Sequence, residues 1–225
     1  MPLVSIQAVK AGRHARQHGA MEFSEAPIDL DKLRRYRLQR LRGKMEKFDV
    51  AGLLLFNQIN TRYATDVTNM QIWCSHYESR CVFVAVDGPV VLFDYSNHPH
   101  LMEGVPTIDE YRVLPGISFF GAGNRISEFS QEFAAQIADL MKIHGNQNLR
   151  LAVDRLSHTS CDALRARGLE LIEGEQITET ARAVKSEEEL ILMQASVDVC
   201  EEGIRSMQES LEPGITENAL WAKLH

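Results

Sequence analysis

Val50-Ala51-Gly52-Leu53-Leu54-Leu55-Phe56 is an apolar run of strand length with no polar alternation. A strand that spares no polar face is covered on both sides, as in a sheet carrying helices on both faces. Upstream, Leu30, Leu33, Leu38, Leu41 and Met45 recur at helical spacing, and Asp29 or Asp31 is placed to cap that helix, which runs to about Lys47. Downstream, Cys81–Val86 and Pro89–Asp94 are two more apolar runs separated by Asp87-Gly88, a hairpin signal.

The pattern continues past the hairpin. Tyr111–Leu114 reads as a strand and Asn124 to about His144 as a helix carrying Ile126, Phe129, Phe133, Ile137, Leu140 and Met141. Leu149–Asp154 is a strand, Ser157–Arg167 a helix ended by Gly168, and Leu169–Ile172 a short strand. Helices alternating with strands around an antiparallel hairpin predict an α/β fold: a mixed sheet flanked by helices. Asn57–Asn69 is polar and turn-rich, and Met70–Arg80 reads as a loop.

Composition narrows the function classes. Apolar residues make up 44% of the 225 residues, enough for a substantial core. The formal charge of −7 argues against nucleic acid as a partner, because phosphate binding requires a net basic face. Asp29–Asp49 holds eight Lys/Arg against four Asp/Glu, a balance that reads as the solvated face of an amphipathic helix. Cys74, Cys81, Cys161 and Cys200 form no C-x-x-C pair and read as reduced thiols of a cytoplasmic protein. No stretch approaches the ~20 apolar residues of a membrane span, so no membrane partner is expected.

After Ile172 the character changes. Glu175–Arg182 reads as a short helix, and Ser186 with Glu189 as a capping box opening a long helix from Glu187 to Leu211. Pro213-Gly214 breaks it and Thr216 starts another that reaches His225. The expected organisation is a flexible arm over 1–28, a first domain over 29–178, and the truncated start of a second over 179–225.

Two motifs now acquire a meaning in combination. Arg182-x-x-Lys185-Ser186-x-x-Glu189, followed by a long helix and Pro213-Gly214-x-Thr216-Glu217, resembles the opening of the pita-bread metallohydrolase domain of creatinase, prolidase and aminopeptidase P (peptidase M24). Upstream, the helix, the apolar strand and Asn60-x-Arg62-Tyr63-Ala64-Thr65-Asp66 resemble the creatinase-like N-terminal domain of those enzymes. Arg62–Asp66 with Asn69-Met70-Gln71-x-Trp73 is similar to a bacterial subgroup that includes dimethylsulfoniopropionate lyases.

The resemblance implies a homodimer that acts on a small-molecule or peptide substrate. It also implies two divalent metal ions, held by two Asp, one His and two Glu on the pita-bread sheet. None of those ligands falls on a residue of this chain, so metal and catalytic residues are expected to be none, and the chain alone is expected to be an inactive fragment. The first expectation is the N-terminal part of a dinuclear-metal hydrolase of the Xaa-Pro peptidase or creatinase type, supplying dimerisation and substrate-gating surface. The alternatives are a dimethylsulfoniopropionate lyase on the same scaffold and a non-catalytic binding module.

In the family's dimers an N-terminal-domain loop reaches toward the partner's active site, which by resemblance singles out Met70–Arg80. There Trp73 offers an aromatic face to a cationic or apolar group, Arg80 a bidentate partner for a carboxylate, and Tyr77 a hydroxyl donor. The competing reading packs Trp73 under the loop and pairs Arg80 with Glu78 or Asp66. His98-Pro99-His100 is the one close His pair, and its expected place is a solvated loop, with Pro99 turning the rings apart.

Overall fold

The computed structural model describes residues 28–68 and 71–224; most of the expected N-terminal arm and the Asn69-Met70 step lie outside the described residues. The chain divides into two compact units, one of them Asp29–Ser186 and the other containing the residues from Glu187 onward.

In the first unit, helix α1 (Leu30–Lys47) begins where the Asp29 carboxylate accepts the N–H of Lys32 at 2.9 Å. Its Leu33, Leu38, Leu41 and Met45 are buried, as their spacing predicts. Its basic residues are less solvated than the charge pattern implies. Arg40 Nε donates to the Ala181 carbonyl at 2.9 Å, Arg42 donates to the carbonyls of Ala85 and Gly88, and Arg34 pairs with Asp66. These guanidinium groups tie α1 to its neighbours through backbone carbonyls and the Asp66 carboxylate.

The apolar run becomes β1 (Gly52–Leu55), antiparallel to β2 (Cys81–Ala85), which is antiparallel to β3 (Val90–Asp94). β4 (Glu110–Val113) adds parallel to β3. On the other side β5 (Arg150–Val153) is parallel to β1, and β6 (Glu170–Glu173) is parallel to β5. The result is a mixed six-stranded sheet in the order β4-β3-β2-β1-β5-β6. Every strand except β2 runs the same way, so the end of the sheet where β2 begins is the carboxyl end of the others.

Alternation along the strands sorts two cores. Leu54, Cys81, Phe83, Val91 and Phe93 face helices α5 (Ile126–His144) and α6 (His158–Ala166). Leu53, Leu55, Val82, Val84 and Leu92 face α1, α2 (Gln58–Thr65) and α7 (Glu175–Arg182). Fully burying each such side chain stabilises the fold by about 1.5–3 kcal/mol.

Two elements depart from the sequence reading. The polar stretch after β1 is the helix α2, and the expected loop contains a helix, α3 (Gln71–His76). In α2 the polar side chains turn inward onto backbone: Asn57 caps Ile59 N–H, Thr61 Oγ1 donates to Gln58 O, and Thr65 Oγ1 donates to Thr61 O. Residues that compete with a helix in isolation here satisfy it from within. Asp66 closes the helix in the left-handed region at φ 63°. A short helix, α4 (Phe119–Ala122), capped by Ser118, precedes α5.

Helix α7 belongs wholly to the first unit, with Ile177 and Ala181 in the core against α1. In the second unit, α8 (Glu187–Glu209) follows the expected helix, and α9 (Glu217–Trp221) starts where expected but ends at Trp221; the Thr216 hydroxyl caps α9 by accepting from Ala219. Leu190, Met193, Val197, Ile204 and Leu211 of this unit are exposed.

Gly174 joins β6 to α7 and passes directly against the end of β5. A Cβ there would stand 2.6 Å from Val153 C and 2.8 Å from Asp154 N, both backbone atoms. Gly174→Ala is therefore expected to destabilise the protein by about 1–3 kcal/mol, as overpacking does. Chemical denaturation checks this; an unchanged midpoint contradicts the close approach.

Candidate functional site

The carboxyl end of the sheet gathers the candidate residues. Arg80 immediately precedes β2, Asp94 ends β3, and Phe93 is in register with Cys81, so Arg80 and Asp94 meet. Arg80 Nε donates to Asp94 Oδ2 at 2.5 Å, and both side chains are almost fully buried, at 0% and 1% exposure. The other carboxylate oxygen, Oδ1, accepts the Tyr95 backbone N–H at 2.7 Å and lies 2.9 Å from His98 Nδ1. Arg80 thus pairs with neither Glu78 nor Asp66. Glu78 lies 3.9 Å from Arg155, and Asp66 binds Arg34. The carboxylate that Arg80 holds in this structure is the protein's own.

Trp73 and Tyr77 lie on and just after α3. Their ring centroids are 4.5 Å apart, and Phe120 of α4 stands 5.1 Å from Trp73 and 4.6 Å from Tyr77. Trp73 is therefore not packed beneath its loop; it forms one wall of an aromatic triad that the sequence separates by more than 40 residues. Phe120 is 65% exposed and Trp73 half-buried, so the triad presents ring surface to solvent. Trp73 Nε1 donates to Tyr95 Oη at 3.0 Å, and Tyr111 Oη donates to the Tyr95 carbonyl.

His98 and His100 lie in and beside a 3₁₀ turn, Pro99–Met102, with centroids 5.8 Å apart, and His98 leans on Asp94 rather than into solvent. Among the described residues no group of three or more His, Cys, Asp and Glu is placed to hold a metal ion.

A second carboxylate organises the adjoining strands. Asp154, just past β5, accepts from Phe56 N at 2.8 Å, Asn57 N at 3.2 Å and Asn60 Nδ2 at 2.8 Å, and so holds the start of α2. Burial pushes its pKa above the ordinary value, against the lowering effect of these three donors. Next to it, Arg155 Nη1 donates to the Ser75 carbonyl at 2.7 Å and so grips α3. Burial, then Asp154 and Asp94, also drive the Cys81 thiol well up, leaving it protonated and unreactive.

This arrangement can hold a cation against ring faces and a polar group beside Tyr95; it supplies no nucleophile. Asp94, Tyr95, Phe120 and Asp154 are absent from the candidates read off the sequence. The available signal was an Asp closing each of two apolar strands, at Asp94 and Asp154, on the end where α/β sheets collect their ligands.

Residues 37–184 match the model of the creatinase/prolidase N-terminal domain. The chain belongs to this family. Two curated relatives, the dimethylsulfoniopropionate lyases DddP of Roseovarius nubinhibens and of Roseobacter denitrificans, are each 37% identical to it over 202 residues, 88% of this chain and 45% of theirs. The chain thus spans about half the length of these relatives. Among solved structures, the Xaa-Pro dipeptidase of Bacillus anthracis shares the fold at TM-score 0.60 and 17% identity, covering 85% of this chain and 47% of that one. The prolidase of Pyrococcus horikoshii does so at TM-score 0.57 and 12% identity, covering 84% and 46%. No helix among the described residues is long and apolar enough to cross a membrane.

Two outcomes test the site's electrostatics. Asp94→Ala leaves a buried guanidinium without its carboxylate, and is expected to destabilise this creatinase/prolidase N-terminal domain by about 3–5 kcal/mol in denaturant melts. Asp154 titrates higher in the folded than in the unfolded state. Its contribution to stability is therefore fully present below the unfolded value of about 3.9 and is lost as pH rises through its folded pKa. Asp154→Asn is expected to abolish that part of the pH dependence, read as the difference in unfolding free energy between the two proteins across mildly acid pH.

Proposed function

We propose that this chain forms the substrate-facing N-terminal domain of a metal-dependent enzyme whose substrate carries a methylated onium group, dimethylsulfoniopropionate being the case its sequence relatives name. The observation that carries the proposal is the part-exposed triad Trp73, Tyr77 and Phe120, with centroids 4.5–5.1 Å apart. Ring faces attract a desolvated cation by roughly 0.5–2 kcal/mol each, and an onium group without N–H donors has little else to bind. The 37% identity to two lyases supports this reading over the hydrolase that the sequence motifs place first; the prolidase-like structures, at 12–17% identity, speak for the fold.

The two divalent metal ions that the family resemblance implies find no ligand set among the described residues. This chain's residues are assigned to binding and orientation. Trp73 and Tyr77 face the cationic head, and Arg80 acts on the site through Asp94. When a sulfonium is expelled as neutral dimethyl sulfide, its positive charge is already fading in the transition state. Rings that attract the cation therefore favour the bound substrate, and their loss falls mainly on KM. Ile72 and Phe119, exposed beside the triad, extend it into an apolar rim of the kind that meets another protein surface, which supports a gating role within a homodimer.

The test is dimethyl sulfide release from dimethylsulfoniopropionate by the purified full-length protein, run beside hydrolysis of Xaa-Pro dipeptides. Sulfide release without peptidase activity is expected, and Trp73→Ala is expected to raise KM about 3- to 30-fold with a smaller change in kcat. Metal-dependent Xaa-Pro hydrolysis without sulfide release would establish the hydrolase instead.

A further inference from the structure

The face that would take the onium group is made of side chains from two separate segments, α3 with its end and α4, and its indole is bonded to a residue from a third, Tyr95. Tyr95 is held at both ends of its backbone. Its N–H donates to Asp94 Oδ1 at 2.7 Å, and its carbonyl accepts from Tyr111 Oη. Asp94 in turn is fixed by Arg80, whose side chain is wholly buried. From this anchored position the Tyr95 hydroxyl accepts the Trp73 indole N–H at 3.0 Å. The indole contacts both Tyr77 and Phe120, which also contact each other.

We infer that Tyr95 is the positioning residue of the aromatic face. It sets the rotation of the Trp73 ring, and through it the spacing of the triad, while Arg80 and Asp94 act on the site by fixing Tyr95. The inference rests on the onium-binding reading for its consequence, and on the hydrogen bonds alone for its geometry. A phenol that accepts from Trp73 still carries its own proton. Tyr95 therefore offers that O–H as a donor beside the ring faces, suited to an acceptor oxygen on the same ligand, such as the carboxylate of a zwitterion. Neither Trp73 nor Phe120 has any such group to offer an acceptor on the open face, since the indole N–H is already committed to Tyr95. The ligand class this arrangement fits is a small zwitterion with an onium head and a carboxylate a few bonds away.

Tyr95→Phe keeps the ring and removes only the hydroxyl, so the fold is retained. Fluorotryptophan is incorporated into the full-length protein, and the fluorine resonance that disappears in Trp73→Phe is assigned to Trp73. In Tyr95→Phe that resonance is expected to shift or broaden, and affinity for dimethylsulfoniopropionate to weaken about three- to tenfold, the loss of one or two modest hydrogen bonds. Tetramethylammonium, which has no carboxylate, should weaken less. If the resonance moves but the wild-type protein binds neither probe, the positioning role stands and the onium reading falls. If the Trp73 resonance is unchanged, the inference is overturned, whether or not affinity changes.

Discussion

One buried ion pair, Arg80 with Asp94, determines the form of the carboxyl end of this sheet. Both groups are out of water, where an isolated charge is prohibitively unfavourable and a paired one roughly breaks even against apolar side chains. The pair is therefore poor evidence for stability and good evidence for position. The groups bonded to Asp94 come from the start of β2, the backbone just past β3 and the turn that follows it. With Asp94 fixed, Tyr95 is fixed, and with Tyr95 the indole of Trp73. A carboxylate inside the fold thereby acts on a ring at the surface, although the two residues are 21 positions apart in sequence.

The same end of the sheet carries a second such device, built on Asp154. Its carboxylate gathers the turn into α2, and the neighbouring Arg155 grips α3 through the Ser75 carbonyl. The helix bearing Trp73 is thus braced from both sides, by Tyr95 across β3 and by Arg155 across β5. The chain can approach this closely because Gly174 puts no side chain against the backbone of Val153 and Asp154. Five strands point their carboxyl ends here, and their connecting segments converge where ligands of open α/β sheets bind. What converges is hydrogen-bonded polar groups underneath and part-exposed aromatic surface above, an arrangement suited to orienting a substrate rather than attacking it.

Much of this fold was legible in the sequence because apolar periodicity reports burial directly. Val50–Phe56, the Asp87-Gly88 hairpin and the helix over Ile126–His144 all appear where their patterns place them. The failures share a cause. Asn57–Asp66 and Gln71–His76 look like loops because their helices are stabilised by side-chain caps and by tertiary partners, Asp154 and Arg155, that composition does not reveal. Arg80 stands out in the sequence as a candidate but its partner does not: Asp94 reads as the last residue of an apolar strand, and only strand register brings the two together. Phe120 was invisible as a site residue for the same reason, since nothing in the chain between Tyr77 and Phe120 announces that α3 and α4 meet. The amphipathic helix of the basic segment is clear in the sequence, yet the Arg34, Arg40 and Arg42 contacts show that a charged stripe is also a set of long hydrogen-bond donors.

In the proposed site, the ring faces of Trp73, Tyr77 and Phe120 receive a cationic group held in place by the platform beneath them. A crystal structure of the full-length protein grown with dimethylsulfoniopropionate, or a non-reacting onium analogue, tests it most directly. The onium centre is expected within about 6 Å of at least one of these ring centroids, with the Trp73 indole still bonded to Tyr95. A ligand bound elsewhere, with these three rings packed against protein and closed to it, would contradict it.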